Sequence, residues 1–348
     1  MLLFFLSSGL LLGWTLGAND AANVFGTAVA TKMIRFRTAA ITGGLFVTLG
    51  AVISGAGPVD TLGDLGAVNA LAGSFMVALA AALAVGLMTK SGLPVSVSQA
   101  IVGGIVGWNL FTSTPTDPAL LTRIVGAWVA SPILAGVFAA LLYWVLRRTL
   151  LCCRIHLFRL DTLTRVALLA SGAFGAYALG ANNIANVMGV FVPAFPEGSI
   201  RLAGGLGLSN AQALYFLGGA AIAVGIYTYS HRVMMTVGKA IFKLTPVTAL
   251  IVVLAQSVVL YIFASEILRN WLVSVGLPAL PLVPVSSSQA VIGAVMGIAV
   301  ARGGRGIRYG VLGRIAAGWV ATPVIALLIT FVGLFFLKNV FDLTVHIP

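Results

Sequence analysis

Ten apolar stretches, five in each half, constrain this chain more than any other feature. They lie near 3–30, 38–57, 69–88, 92–110 and 121–146, then near 164–192, 209–229, 246–267, 282–300 and 311–338. Several reach the roughly 20 residues that a helix needs to cross a bilayer. Inside hydrocarbon the backbone must satisfy its own hydrogen bonds, so the spanning elements are expected to be helices. Composition excludes the soluble alternative: 8% of residues are charged, against about a quarter in a soluble domain. The opening MLLFFLSSGLLLGWTL resembles a signal peptide in hydropathy. It has no basic start and no A-x-A-like cleavage site, so it is expected to stay as the first membrane helix.

The net charge of +12 would suggest nucleic acid in a soluble protein. Here position matters more, and no nucleic-acid partner is expected. Lys32, Arg35, Arg37, Lys90, Arg147, Arg148, Arg154, Arg159, Arg165, Arg232, Lys239, Lys243, Arg302, Arg305, Arg308 and Arg314 fall in one set of alternate loops. Arg123, Arg201, Arg269 and Lys338 fall in the other. Sixteen against four places the first set in the cytoplasm. The expectation is an inner (plasma) membrane protein with both termini outside. Acids mirror this, with only Asp161 joining the basic loops and Asp20 standing apart. Cys152 and Cys153 sit in the basic central loop and have no partners for a disulfide framework. His156, His231 and His346 lie in loops or tails and read as solvated side chains, not metal ligands.

The chain also repeats itself. GANDAANVFG (17–26) returns as GANNIANVMG (180–189), LPVSVSQAIVGGIVG (93–107) as VPVSSSQAVIGAVMG (283–297), and RIVGAWVASPILAG (123–136) as RIAAGWVATPVIAL (314–327). The order is kept, and about 27 extra residues separate the first two blocks in the second half. Two fused copies are implied: 1–148, a basic connecting loop over 149–163, and 164–348. Five crossings is an odd number, so the second copy enters the membrane upside down, which agrees with the charge count. The predicted fold is an all-α polytopic membrane protein of two inverted-topology repeats, with broken helices or re-entrant hairpins and about 10–12 membrane segments. Inverted repeats place substrates near the midplane between the copies. The fourth segment of each half follows a Gly/Pro break, at Lys90-Ser91-Gly92-Leu93-Pro94 and at 278–284. Each is read as either a plain crossing or a re-entrant hairpin with a half-helix.

Two polar constellations interrupt the apolar runs. Asp20 is the sole acid deep in any segment. A charge near the bilayer centre costs at least about 2.5–3.5 kcal/mol, so it persists only with a partner or a task. No Lys or Arg lies deep enough to pair with it. A bound cation is the expected partner, with Asn19, Asp20 and Asn23 as hard oxygen ligands; the alternative is a protonated Asp20 hydrogen-bonded in a helix interface. Gly17 is expected to permit an unwound turn whose carbonyls add more. Asn182, Asn183 and Asn186 form the matching block, either as ligands or as interhelical amide glue. Ser96, Ser98 and Gln99, and Ser286, Ser287, Ser288 and Gln289, each open a helix after a proline. A helix start offers free N–H groups and partial positive charge to an oxyanion. Serine N-capping accounts for one hydroxyl per block, not two or three plus a glutamine. Gly103, Gly107, Gly293 and Gly297 make small-residue faces for close packing behind these tips.

The four blocks GANDAAN, GANNIAN, PVSVSQA and PVSSSQA resemble the signature of the inorganic phosphate transporter (PiT) family, over essentially the whole chain. The resemblance implies phosphate uptake with Na⁺ or H⁺ by a usually dimeric carrier with no cofactor and no enzymatic activity. It implies cation sites at Asn19, Asp20, Asn23, Asn182, Asn183 and Asn186, with sodium there if Na⁺ is the coupling ion. Phosphate would sit at Ser96, Ser98, Gln99, Ser286, Ser287, Ser288 and Gln289. Two positions depart from the pattern: Asn183 stands where the family usually has Asp, and Val97 replaces a hydroxyl residue. The alternative substrate is sulfate or another tetrahedral oxyanion. A channel does not need an ion site beside an anion site, and an intramembrane enzyme would need a nucleophile–base pair or metal cluster.

Overall fold

A computed structural model describes residues 2–90, 95–152, 156–195, 198–201, 207–240, 245–304 and 309–347. The first half contains α1 (Leu2–Ala30), α2 (Phe36–Ser54), α3 (Ala56–Leu65), α4 (Leu71–Lys90), α5 (Val97–Thr112) and α6 (Pro118–Cys152). The second contains α7 (Leu157–Met188), a 3₁₀ turn (Gly189–Ala194), a hairpin of β1 (Ser199–Arg201) and β2 (Gly207–Ser209), α8 (Asn210–Thr228), α9 (Ser230–Ala240), α10 (Pro246–Ile262), α11 (Glu266–Ser274), α12 (Ser287–Ala301) and α13 (Tyr309–Asn339). Among the described residues, seven helices are long and apolar enough to cross a membrane: α1, α2, α4, α6, α7, α8 and most of α13. The pair α10–α11, bent by 68°, makes an eighth.

The fourth segments resolve differently from a plain helical crossing. α5 has 16 residues and α12 has 15, so each is about 22–24 Å long, short of a hydrocarbon core about 30 Å thick. In the second half, Gly276 turns in a left-handed conformation (φ 79°), and 277–286 then runs back without helix. Hydrogen bonds hold this return: Val283 N–H donates to the Phe263 carbonyl at 3.1 Å, and Thr61 Oγ1 donates to the Leu282 carbonyl. In the second half, an extended piece followed by a half-helix thus stands where the sequence left either a plain crossing or a re-entrant hairpin. The matching break at 91–94 lies outside the described residues, as does Cys153.

The two copies interlock. α1 packs antiparallel on its equivalent α7, with Gly9 against Val187 and Met188 at one end and Gly172 against Phe25 at the other. Those two contacts are images of each other under the repeat, as inverted copies require. α2 packs on α7 and α8 on α1, again as exchanged equivalents, and α5 lies along α13 as α12 lies along α6. The extra residues of the second half are also located. One part is the 3₁₀ turn and hairpin between α7 and α8, and the rest is α11.

Two expectations are corrected. α1 is helical without interruption from Leu2 to Ala30, so Gly17 does not unwind it. The glycine serves packing instead: a Cβ there would stand 1.9 Å from the Ile222 carbonyl oxygen of α8. Its equivalent, Gly180, would meet the Val47 oxygen of α2 at the same distance. His346 is not a solvated tail residue. The C-terminal segment docks on α5, with Trp108 Nε1 donating to the Val345 carbonyl at 3.0 Å and the His346 ring edge-on to Trp108. Burying an otherwise empty end of α5 outweighs leaving the tail free.

Candidate functional site

The GAN blocks sit midway along α1 and in the last turns of α7, and the serine blocks start α5 and α12. The fold brings all four together. Asp20 is 6% exposed. Its Oδ2 accepts from Ser287 Oγ at 2.6 Å, across the two copies. The same hydroxyl accepts from Asn23 Nδ2 at 3.3 Å. On the other side, Asn186 Nδ2 donates to Ser98 Oγ at 2.9 Å and to Asn183 Oδ1 at 2.9 Å. Ser98 Oγ in turn donates to the Val285 carbonyl at 3.0 Å, joining the α5 tip to the segment that enters α12. Each copy thus lends a serine hydroxyl to the other copy's GAN block.

The serines divide by role in the fold. Ser96 Oγ accepts from Gln99 N–H and Ser286 Oγ from Gln289 N–H, both at 3.2 Å. One hydroxyl per block is therefore an N-cap, as the capping argument allowed, and each keeps its own proton to donate. Ser98 and Ser287 reach across the interface, and Ser288 is half-buried one residue further in. Asn182 is committed to structure at both ends of its carboxamide. Its Oδ1 accepts from Val285 N–H at 3.0 Å and its Nδ2 donates to the Val283 carbonyl at 3.3 Å, which fixes the extended segment. Asn19 and Asn183 donate along their own helices, to the Thr15 and Leu179 carbonyls.

The two sides are not equal. The repeat equates Asp20 with Asn183 and Ser287 with Val97. Where the acid is missing, the hydroxyl that would face it is missing too. The two departures seen separately in sequence fall on equivalent partners: the Asp20 side keeps a carboxyl group bonded to a hydroxyl, and its twin has a carboxamide and an apolar side chain. Among the described residues the sole ion pair is Arg165–Asp161 on the surface, and no group of three His, Cys, Asp or Glu side chains could hold a metal.

Sequence reasoning missed Gln256. This fully buried side chain of α10 donates from Nε2 to the Asn23 carbonyl at 2.8 Å, and its Oε1 has no partner. The signal was available, since it is the lone carboxamide in the 246–267 run. The repeat concealed it, because the first copy has no match.

A family model described as the phosphate transporter family matches residues 16–160 and 157–330, once on each copy. The chain belongs to the phosphate transporter family. Relatives of this family member include a Methanocaldococcus jannaschii protein with a phosphate-permease name, 29% identical, covering 91% of both chains. A Rhizobium meliloti protein named as a low-affinity inorganic phosphate transporter is 29% identical and covers 90% of both. Among solved structures, one titled "The sodium-dependent phosphate transporter" superposes with a TM-score of 0.75 at 21% identity, covering 97% of this chain and 98% of that one. The family is one of transporters, not enzymes, and its fold is a multi-pass membrane fold.

Proposed function

We propose that this family member takes up inorganic phosphate across the plasma membrane together with a cation that binds beside Asp20. The observation that carries the reading is the Asp20–Ser287 contact. It puts a buried, otherwise uncompensated carboxylate next to the start of α12, with the α5 tip tied to the same place through Ser98 and Val285. Cation and oxyanion bound side by side lower each other's desolvation cost. Each then binds better when the other is present, which is the thermodynamic content of symport. One carboxylate supports one strongly held cation, Na⁺ or H⁺, at Asn19, Asp20 and Asn23. The neutral Asn182–Asn186 side holds the extended segment and the α5 tip in register. Phosphate contacts come from Ser98, Ser287, Ser288, Gln99 and Gln289, with the capping Ser96 and Ser286 able to donate their protons. The charged loops support cytoplasmic placement of the basic ends and outward termini, and the family resemblance supports a homodimer in the lipid bilayer.

The test is uptake of labelled phosphate by proteoliposomes under an imposed Na⁺ gradient or an imposed H⁺ gradient, with and without excess sulfate. Saturable uptake that one gradient drives and sulfate leaves intact is expected. Equal inhibition by sulfate would replace phosphate with tetrahedral oxyanions in general. Uptake indifferent to both gradients would remove coupling.

A further inference from the structure

The third repeated block, RIVGAWVASP and RIAAGWVATP, has no part in the site described above. Its helices nevertheless run directly behind the serine tips. α12 lies parallel to α6, with Gly293 against Pro132 and Gly297 against Gly136. α5 lies parallel to α13, with Gly103 against Pro323 and Gly107 against Leu327. Residues four apart share a helix face. One turn further toward the tips, this register sets Trp128 opposite Gln289 and Trp319 opposite Gln99. Pro132 and Pro323 lack the N–H that would bind the Trp128 and Trp319 carbonyls, which loosens the helix at that turn.

The polar atoms at these two levels are complementary and unused. Gln99 and Gln289 are 4% and 3% exposed, and the Oε1 of each is buried without a partner. Trp128 Nε1 and Trp319 Nε1 are also buried without a partner. An indole N–H is a donor only, so it can engage a carboxamide through the oxygen and never through the nitrogen. A glutamine at an oxyanion site is useful only when its NH₂ faces the anion and its oxygen is held elsewhere. Two orphaned acceptors and two orphaned donors, paired by symmetry, meet that requirement.

We propose that Trp128 and Trp319 are positioning residues: each indole N–H holds the carboxamide oxygen of Gln289 or Gln99, directly or through one buried water, and so turns its NH₂ toward the transported oxyanion. This rests on the phosphate-transport reading above.

The test is the phosphate dependence of uptake for Trp128→Phe and Trp319→Phe, each alone and with Gln289→Met or Gln99→Met respectively. Phe keeps the ring and removes the N–H. KM is expected to rise about three- to tenfold, the weight of one neutral hydrogen bond, with maximal rate little changed. The same Trp substitution should add nothing once its glutamine is Met, and Trp144→Phe on the exposed face of α6 should act as wild type. Unchanged KM in both Trp variants, or an equal rise with and without the glutamine, overturns the proposal. If one variant does not accumulate in the membrane, its symmetry mate carries the same comparison. If wild type itself transports no phosphate, the underlying functional reading fails instead, which separates the two.

Discussion

Replacing Asp20 by Asn is the sharpest perturbation, because stability and transport should move in opposite directions. The side chains are isosteric, and Asn can still accept the Ser287 hydroxyl, although a bond to a neutral acceptor is worth about 1 kcal/mol less than one to a carboxylate. Removing a charge from mid-membrane recovers at least about 2.5–3.5 kcal/mol. The net expectation is a variant at least as stable as wild type. For the cation the sign reverses. A unit-charge pair about 4 Å apart at an effective dielectric of about 20 is worth about 4 kcal/mol, and each 1.36 kcal/mol is tenfold. Losing it weakens cation binding by roughly a thousandfold, enough to abolish concentrative uptake at ordinary ion gradients. The assay is labelled phosphate accumulation in proteoliposomes, paired with thermal unfolding of the purified protein. Concentrative uptake at the wild-type level by Asp20→Asn refutes the reasoning. So does a large fall in melting temperature, which would make Asp20 a structural acid whose charge the fold requires.

Replacing the interface hydroxyls, Ser98→Ala with Ser287→Ala, should raise the KM for phosphate by tenfold or more, since each hydroxyl makes two hydrogen bonds that bridge the copies; an unchanged KM would move the anion elsewhere. The capping serines should behave differently: Ser286→Ala is expected to cost about 1 kcal/mol of stability from the lost cap, read as a lower melting temperature. Gly17→Ala forces a Cβ to within 1.9 Å of the Ile222 oxygen, so α1 and α8 must separate; a loss of about 1–3 kcal/mol is expected, and a neutral effect on melting would show that this crossing is not tightly packed.

Much of this protein follows from local chemistry that a chain carries in any context. Apolar runs determine a multi-pass membrane protein, because transfer of each segment depends on its own residues, and the one-sided Lys and Arg give the orientation we propose for it. The three repeated blocks determine two inverted copies, and the isolated Asp20 marks the candidate site. Packing decided the rest. Whether Gly17 unwinds a helix or receives a neighbour's backbone depends on α8, which lies some 200 residues away in the chain. Ser96 and Ser98 look alike in sequence, and only the helix start makes one a cap and the other a bridge. Gln256 joined the site because α10 crosses α1 beside Asn23. Hydropathy and helix propensity are properties of a segment, whereas a side chain's partner is a property of how two segments cross, and that geometry exists only once the copies have closed on each other.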